Sequence, residues 1–151
     1  MGVAGLLVSA GFLAIGPASA AQASPANCAG GVNGFIDIPD SLQGTAVNGS
    51  AAVNDYSPYG TASYALNVGT VSGQVRGWGR LQPNLNSGEV GKVWMDVSNN
   101  AGSSWIQCGP FTTTFQGVIT TPAYPTSSSS SRVFRVCAQV NNSTISCSGW
   151  W

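Results

Sequence analysis

The sequence predicts an all-β protein, an antiparallel sandwich of about seven to eight strands closed by two disulfides. Short segments rich in β-branched and aromatic residues alternate between apolar and polar positions, and clusters of Gly, Pro, Asn and Ser separate them. Four cysteines lie downstream of a leader-like N-terminus. Beyond that leader, no segment has the 3.6-residue apolar period of a helix, so almost no helix is expected.

The N-terminus has the features of a secretory signal peptide. An uncharged apolar run over residues 3–15, with no basic residue before it, is followed by Gly16-Pro17 and the small residues Ala18-Ser19-Ala20. Cleavage is predicted after residue 20, or after residue 23. Because the run is shorter than the roughly 20 apolar residues that span a bilayer, we predict a secreted protein with a single domain over residues 24–151 and no membrane contact after cleavage.

In chain order, the domain begins with predicted strands over residues 35–38, 44–54, 60–68 and 70–81. The last of these places Val75 and Leu81 on one face and Trp78 on the other. A turn-rich loop over residues 83–88 leads to a hairpin over residues 92–108. A further strand over residues 111–119 precedes a predicted surface loop at 121–131, which has two prolines and five serines. A second hairpin, with strands at 132–140 and 144–151, closes the domain.

Four cysteines in an exported chain predict two disulfides, and three pairings exist. Cys137 and Cys147 flank the polar run Asn141-Asn142-Ser143, and a turn there places them opposite each other on paired strands. We therefore favour Cys137–Cys147 together with Cys28–Cys108, which joins the N-terminal segment to the first hairpin. Pairing Cys108 with Cys137 is the main alternative.

The turn of the first hairpin resembles a known motif. The run Ser98-Asn99-Asn100-Ala101-Gly102-Ser103-Ser104-Trp105 is similar to the Asp-box of sialidases and other secreted β proteins, Ser-x-Asp-x-Gly-x-Thr-Trp. Asn100 stands in place of the Asp and Ser104 in place of the Thr, and both side chains can still bond to the turn backbone. In that family the box is a structural hairpin on propeller blades. This chain is too short for a propeller, so the resemblance implies the hairpin and not glycosidase activity.

Two other resemblances bear on fold and origin. The closing hairpin, with alternating Phe134, Val136 and Ala138, resembles that of fibronectin type III and immunoglobulin-like domains, which implies a sandwich of that kind. The Gly- and Ser-rich exported domain, its Trp-Ile-Gln-Cys-Gly-Pro-Phe segment at 105–111 and its terminal Trp150-Trp151 are similar to small secreted proteins of actinomycete bacteria. That second resemblance implies no activity.

Composition excludes several function classes. Charged residues make up 7% of the chain, and five acidic side chains balance five basic ones, so no basic stripe exists for a nucleic-acid partner. The absence of histidine excludes Ser-His-Asp and Cys-His catalysis. Without histidine or a Cys-x-x-Cys spacing no zinc site is predicted, and Asp37-Ile-Pro-Asp40 lacks the further carboxylates of a calcium loop. We predict no cofactor, no metal and no enzymatic activity.

The segment Arg76-x-Trp78-x-Arg80 is the predicted binding site. In a strand these side chains share a face, where guanidinium groups can stack on an indole. Trp94 and Asp96 are expected on a neighbouring strand of that face. The alternative is a stacked ladder that merely covers the sheet. The terminal Trp150-Trp151 pair is predicted to pack as the last core residues, with binding or self-association as its alternative.

These features predict a secreted, non-catalytic binding domain that acts on polysaccharide or another cell-surface component through exposed aromatic residues. An inhibitor or other partner of a secreted enzyme is the alternative, with residues 121–131 as the presented loop. A hydrolase that uses two carboxylates is the third possibility, but no spacing in the sequence brings two of them together.

Overall fold

The computed structural model describes residues 24–151, and the predicted signal peptide at residues 1–20 or 1–23 lies outside this range. Two short 3-10 helices, Pro25–Asn27 and Ala29–Gly34, precede the strands. No helix within residues 24–151 is long and apolar enough to cross a bilayer. The strands are β1 (Thr45–Ala46), β2 (Ala52–Asp55), β3 (Gly60–Val71), β4 (Gln74–Leu85), β5 (Val90–Ser98), β6 (Ile106–Thr114), β7 (Ile119–Thr120), β8 (Tyr124–Pro125), β9 (Val133–Val140) and β10 (Ser146–Cys147).

These strands form two antiparallel sheets. The larger has the order β1-β3-β4-β7, with β2 also paired to β3 and β8 also paired to β4. The smaller has the order β10-β9-β5-β6. The predicted all-β sandwich with two disulfides is confirmed. Its closer likeness to immunoglobulin and fibronectin domains stays a prediction.

The core lies between the sheets and follows the alternation of the sequence. Val93, Met95 and Val97 of β5 are buried there, as are Phe134 and Val136 of β9. On the larger sheet, Gly79 faces β9 so closely that an added Cβ would lie 3.2 Å from Val136 Cγ1. The absence of a side chain at this position therefore lets the two sheets approach each other.

Both favoured disulfides are present, and the residues described include no free cysteine. Cys147 of β10 lies directly opposite Cys137 of β9, as the short polar turn between them predicts. Cys28, which follows the first 3-10 helix, is bonded to Cys108 of β6, and both are fully buried. The alternative pairing of Cys108 with Cys137 is therefore wrong.

The predicted surface loop at 121–131 is wrong for its first half. Thr121 and Ala123 are fully buried, and β8 pairs with β4. The Thr121 backbone N–H donates to the Gly79 carbonyl, and its hydroxyl accepts from the Gly79 N–H. These bonds attach the segment to the larger sheet, and the exposed part is the serine run at 127–130.

Several strand predictions also differ from the structure. The predicted strand over 35–38 is only an isolated bridge at Ile36, residues 111–114 continue β6, and the predicted last strand over 144–151 is reduced to β10. The predicted strand over 44–54 is split into β1 and β2, because the intervening chain turns inward at Ser50, whose hydroxyl donates to the Val47 carbonyl and accepts from the Leu66 N–H. The predicted loop at 83–88 begins too early, since β4 continues to Leu85 against β3.

Candidate functional site

The five predicted binding residues lie on two different sheets. Arg76, Trp78 and Arg80 belong to β4 of the larger sheet, whereas Trp94 and Asp96 belong to β5 of the smaller one. In both strands these side chains alternate with residues that face the core, so the two groups lie on opposite outer faces of the sandwich. The prediction of one shared face is wrong, because β4 pairs with β3, β7 and β8 and not with β5.

Trp78 is on the outer face of its sheet, as predicted, but it is not exposed. Its exposed fraction is 0%, because the chain at Gly44 lies across the indole. A Cβ added at Gly44 would come within 2.5 Å of Trp78 Cζ2. The cation–π contacts within residues 24–151 involve neither Arg76 nor Arg80. Both the predicted aromatic platform at Trp78 and the predicted ladder are therefore wrong.

Trp94 is also nearly buried, with 7% of its surface exposed. It lies opposite Cys137 on the neighbouring strand, and an added Cβ at Gly109 would lie 2.9 Å from the Trp94 Cβ. Little of its indole is therefore accessible to a ligand.

The smaller sheet instead carries an ion pair between two of its central strands. Asp96 of β5 lies directly opposite Arg135 of β9. The Arg135 Nε and Nη2 groups both donate to Asp96 Oδ2, at 2.9 and 2.6 Å. Asp96 is 1% exposed, and its Oδ1 is buried without a hydrogen-bond partner. Both hydrogen bonds that stabilise the buried Asp96 carboxylate are therefore made to one of its two oxygens.

Two tryptophans enclose the same guanidinium group. The Arg135 Cζ lies 5.1 Å from the Trp105 ring centroid and 4.6 Å from the Trp150 ring centroid, within the range of cation–π attraction. The two rings are 5.8 Å apart and inclined at 59°. We call these four residues, Asp96, Trp105, Arg135 and Trp150, the Arg135 cluster.

The C-terminal tail carries Trp150 to this position. After β10, the Ser148 N–H donates to the Val136 carbonyl, and the backbone N–H and C=O of Trp151 pair with those of Phe134. Trp151 is 47% exposed. The prediction that the terminal pair completes the core is therefore wrong, because backbone pairing to β9 holds the tail on the surface.

The β5–β6 turn positions Trp105. The Ser98 hydroxyl accepts from the N–H groups of Asn100 and Gly102, and Asn100 Oδ1 accepts from the Ser98 hydroxyl and the Ser104 N–H. Asn100 and Ser104 thus make the side-chain bonds expected of them, and the predicted hairpin is confirmed. Trp105 is 38% exposed and lines a surface depression with Asn99, Asn100 and Ser104.

Burial controls the ionisation of Asp96. It raises the pKa of this carboxyl above the usual value of 3.8 and outweighs the lowering effect of the Arg135 hydrogen bonds and charge. The unpartnered Oδ1 gives the physical reason, because a desolvated oxygen without a donor disfavours the charged form.

This pKa direction predicts how stability changes with pH. Since folded Asp96 holds its proton to a higher pH than unfolded Asp96, the free energy of unfolding should fall as pH rises from 3.8 through the raised pKa. An Asp96→Asn variant lacks this term. In urea denaturation at a series of pH values, the variant should gain stability relative to the parent as pH rises. If the parent instead gained stability relative to the variant, the effect of Arg135 on the Asp96 pKa would have to exceed the effect of burial.

Sequence reasoning missed two members of the cluster as site residues, Trp105 and Arg135, and gave Trp150 a binding role only as an alternative. One available signal was a charged residue between apolar neighbours in each of two strands, Asp96 in one and Arg135 in the other. Recognising the pair requires the β5–β9 register, which the sequence does not specify.

No family model, curated protein or solved structure matches this chain. Within residues 24–151, no three His, Cys, Asp or Glu side chains are grouped so as to hold a metal ion.

Proposed function

We propose that this protein is a non-catalytic binding module that acts outside the cell and binds polysaccharide through the Arg135 cluster. The observation that carries the proposal is the pair of indoles held at a fixed angle around one guanidinium, with Trp105 38% exposed. Flat aromatic rings stack on the C–H faces of sugars. Because the rings are already held in place, little side-chain freedom is lost on binding.

Polar groups beside the indoles support a sugar ligand. Arg135 uses Nε and Nη2 on Asp96, while its Nη1 makes no hydrogen bond within residues 24–151 and is free to donate to a hydroxyl. The depression next to Trp105 adds the side-chain amide of Asn99, whose Oδ1 accepts from Arg132 Nε and whose Nδ2 donates to no described residue. An indole flanked by amide and guanidinium donors matches the alternating apolar and hydroxyl surfaces of a sugar chain.

The environment of the carboxylates supports a role without catalysis. Each carboxylate accepts hydrogen bonds from its own neighbours: Asp37 from Gly30, Asp40 from Thr120, Asp55 from Ser57, Glu89 from Asn141 and Asp96 from Arg135. Two disulfides support export to an oxidising compartment. The enzyme-inhibitor alternative loses support, because residues 121–125 pack into the sandwich instead of forming a presented loop.

Retention on insoluble polysaccharides tests the proposal. The oxidised protein should be retained on at least one of chitin, cellulose and peptidoglycan. Trp105→Ala should weaken retention about tenfold, since aromatic contacts of this kind contribute roughly 0.5–1.5 kcal/mol beyond their buried area. Phe115→Ala is the matched control, because Phe115 is 48% exposed and lies outside the cluster.

The outcomes test two points separately: which surface binds the ligand, and whether the ligand is a polysaccharide. Equal retention of Trp105→Ala and the parent would exclude the Arg135 cluster as the binding surface. If the parent is not retained on any of the three polysaccharides, the sugar proposal fails and a protein partner becomes the better hypothesis.

A further inference from the structure

A second pocket lies on the outer face of the larger sheet, on the opposite side of the sandwich from the Arg135 cluster. It is formed where β1 and β2 meet β3. Its walls include four alanines, whose small side chains leave the pocket open, and its polar groups come from β3 and β4. The residues that line it include Ala46, Ala51, Ala52, Ala65, Asn67 and Arg80.

Arg80 brings an uncompensated positive charge to this pocket. The one ion pair within residues 24–151 is that of Asp96 and Arg135, so no carboxylate lies within 4.0 Å of the Arg80 guanidinium nitrogens. Its Nη1 donates to Gln82 Oε1 at 3.1 Å. Its Nη2 makes no hydrogen bond to any described residue, and its Nε is buried without a partner.

Asn67 is a second polar group in the lining of this pocket. This residue is 6% exposed and lines the pocket, yet its side-chain amide makes no hydrogen bond to any of residues 24–151. The Asn67 amide atoms are not among the buried polar atoms that lack a partner, so they are accessible from the pocket. A ligand group that enters the pocket can therefore bond this amide in place of water.

We infer that this pocket binds a carboxylate-bearing sugar, a hexuronic acid. The planar Arg80 guanidinium matches a carboxylate, the Asn67 amide can bond a ring hydroxyl, and the alanine walls accept the C–H face of a sugar ring. This site is chemically distinct from the aromatic cluster. It adds a preference for acidic sugars that the Arg135 cluster does not supply.

Titration of the oxidised protein with D-glucuronate, followed by 1H–15N NMR, tests the inference. D-glucose is the matched ligand, because the two sugars differ only at the carboxylate. Glucuronate should produce saturable shifts of the Asn67 side-chain amide and the Arg80 Nε–H, and glucose at the same concentration should not. Inorganic phosphate should not reproduce the pattern.

Variants locate the site. Arg80→Gln should weaken glucuronate binding about tenfold or more, as expected for a lost hydrogen bond to a charged group. Arg76→Gln removes the same charge from the same face of β4, but outside the pocket, and should bind as the parent does. The amide spectra of both variants report whether the fold is retained.

Several results would overturn the inference. Equal shifts with glucose or with phosphate would show that the carboxylate is not recognised. If Arg76→Gln and Arg80→Gln weakened glucuronate binding equally, the binding would depend on general surface charge and not on this pocket. Trp105→Ala should leave glucuronate binding unchanged, so failure at this pocket is distinguishable from failure of the proposed polysaccharide surface.

Discussion

Replacing Trp78 with alanine is expected to destabilise the fold by about 3–5 kcal/mol, a large fraction of the roughly 5–15 kcal/mol that holds a domain together. The indole is 0% exposed and fills the space between the outer face of β4 and the chain at Gly44. Gly69 is a second close neighbour, since an added Cβ there would lie 3.1 Å from Trp78 Cη2. Truncation therefore leaves a cavity that the surrounding chain can fill only in part.

Urea denaturation of the oxidised protein measures this loss directly. Trp105→Ala is the matched control, because it removes the same side chain from a position that is 38% exposed. Its effect on unfolding should be far smaller. If Trp78→Ala were no more destabilising than Trp105→Ala, Trp78 would have to be accessible in solution. In that case Trp78 would again be a candidate for a binding surface.

Trp78 illustrates what local sequence pattern determines and what it does not. Strand alternation correctly placed this residue on the face opposite Leu81, because the direction of a strand side chain depends on the position in the strand alone. Whether that face meets water depends on a segment more than 30 residues earlier in the chain, at Gly44. The glycine that allows the close approach has no local pattern to mark it.

The Arg135 cluster shows the same division. The β5–β6 turn was predictable because Ser98, Asn100 and Ser104 bond within eight residues of sequence. Arg135 is 39 residues from Asp96, and their contact requires β9 to enter the sheet beside β5 in one particular register. Sequence reasoning therefore found Asp96 and the turn, assigned Asp96 to the wrong sheet and missed its partner.

The two disulfide pairings differ in how far local sequence determines them, for the same reason. Cys137 and Cys147 are joined by a short turn, so local geometry determines their pairing. Cys28 and Cys108 are separated by 80 residues, and the absence of other partners favours their pairing more than any pattern does.

Removing the Cys28–Cys108 disulfide is expected to cost about 4 kcal/mol, because it constrains a long loop in the unfolded chain. The double variant Cys28→Ala, Cys108→Ala avoids placing new polar groups at two fully buried positions. Cys137→Ala, Cys147→Ala is the matched control: its disulfide closes a loop with a separation of only 10 residues, so its loss should be smaller in urea denaturation. Equal losses would contradict the loop-length argument.

The two double-cysteine variants should rank in the opposite order for their loss of polysaccharide retention, with the larger loss in Cys137→Ala, Cys147→Ala. The Cys28–Cys108 bond attaches the N-terminal segment to β6 and makes no covalent link to the tail that carries Trp150. The Cys137–Cys147 bond instead attaches the two-residue strand β10, and the tail follows it directly. Its removal leaves the backbone bonds at Ser148 and Trp151 to hold Trp150 over Arg135. We expect this variant to be more stable than its counterpart and yet to bind more weakly.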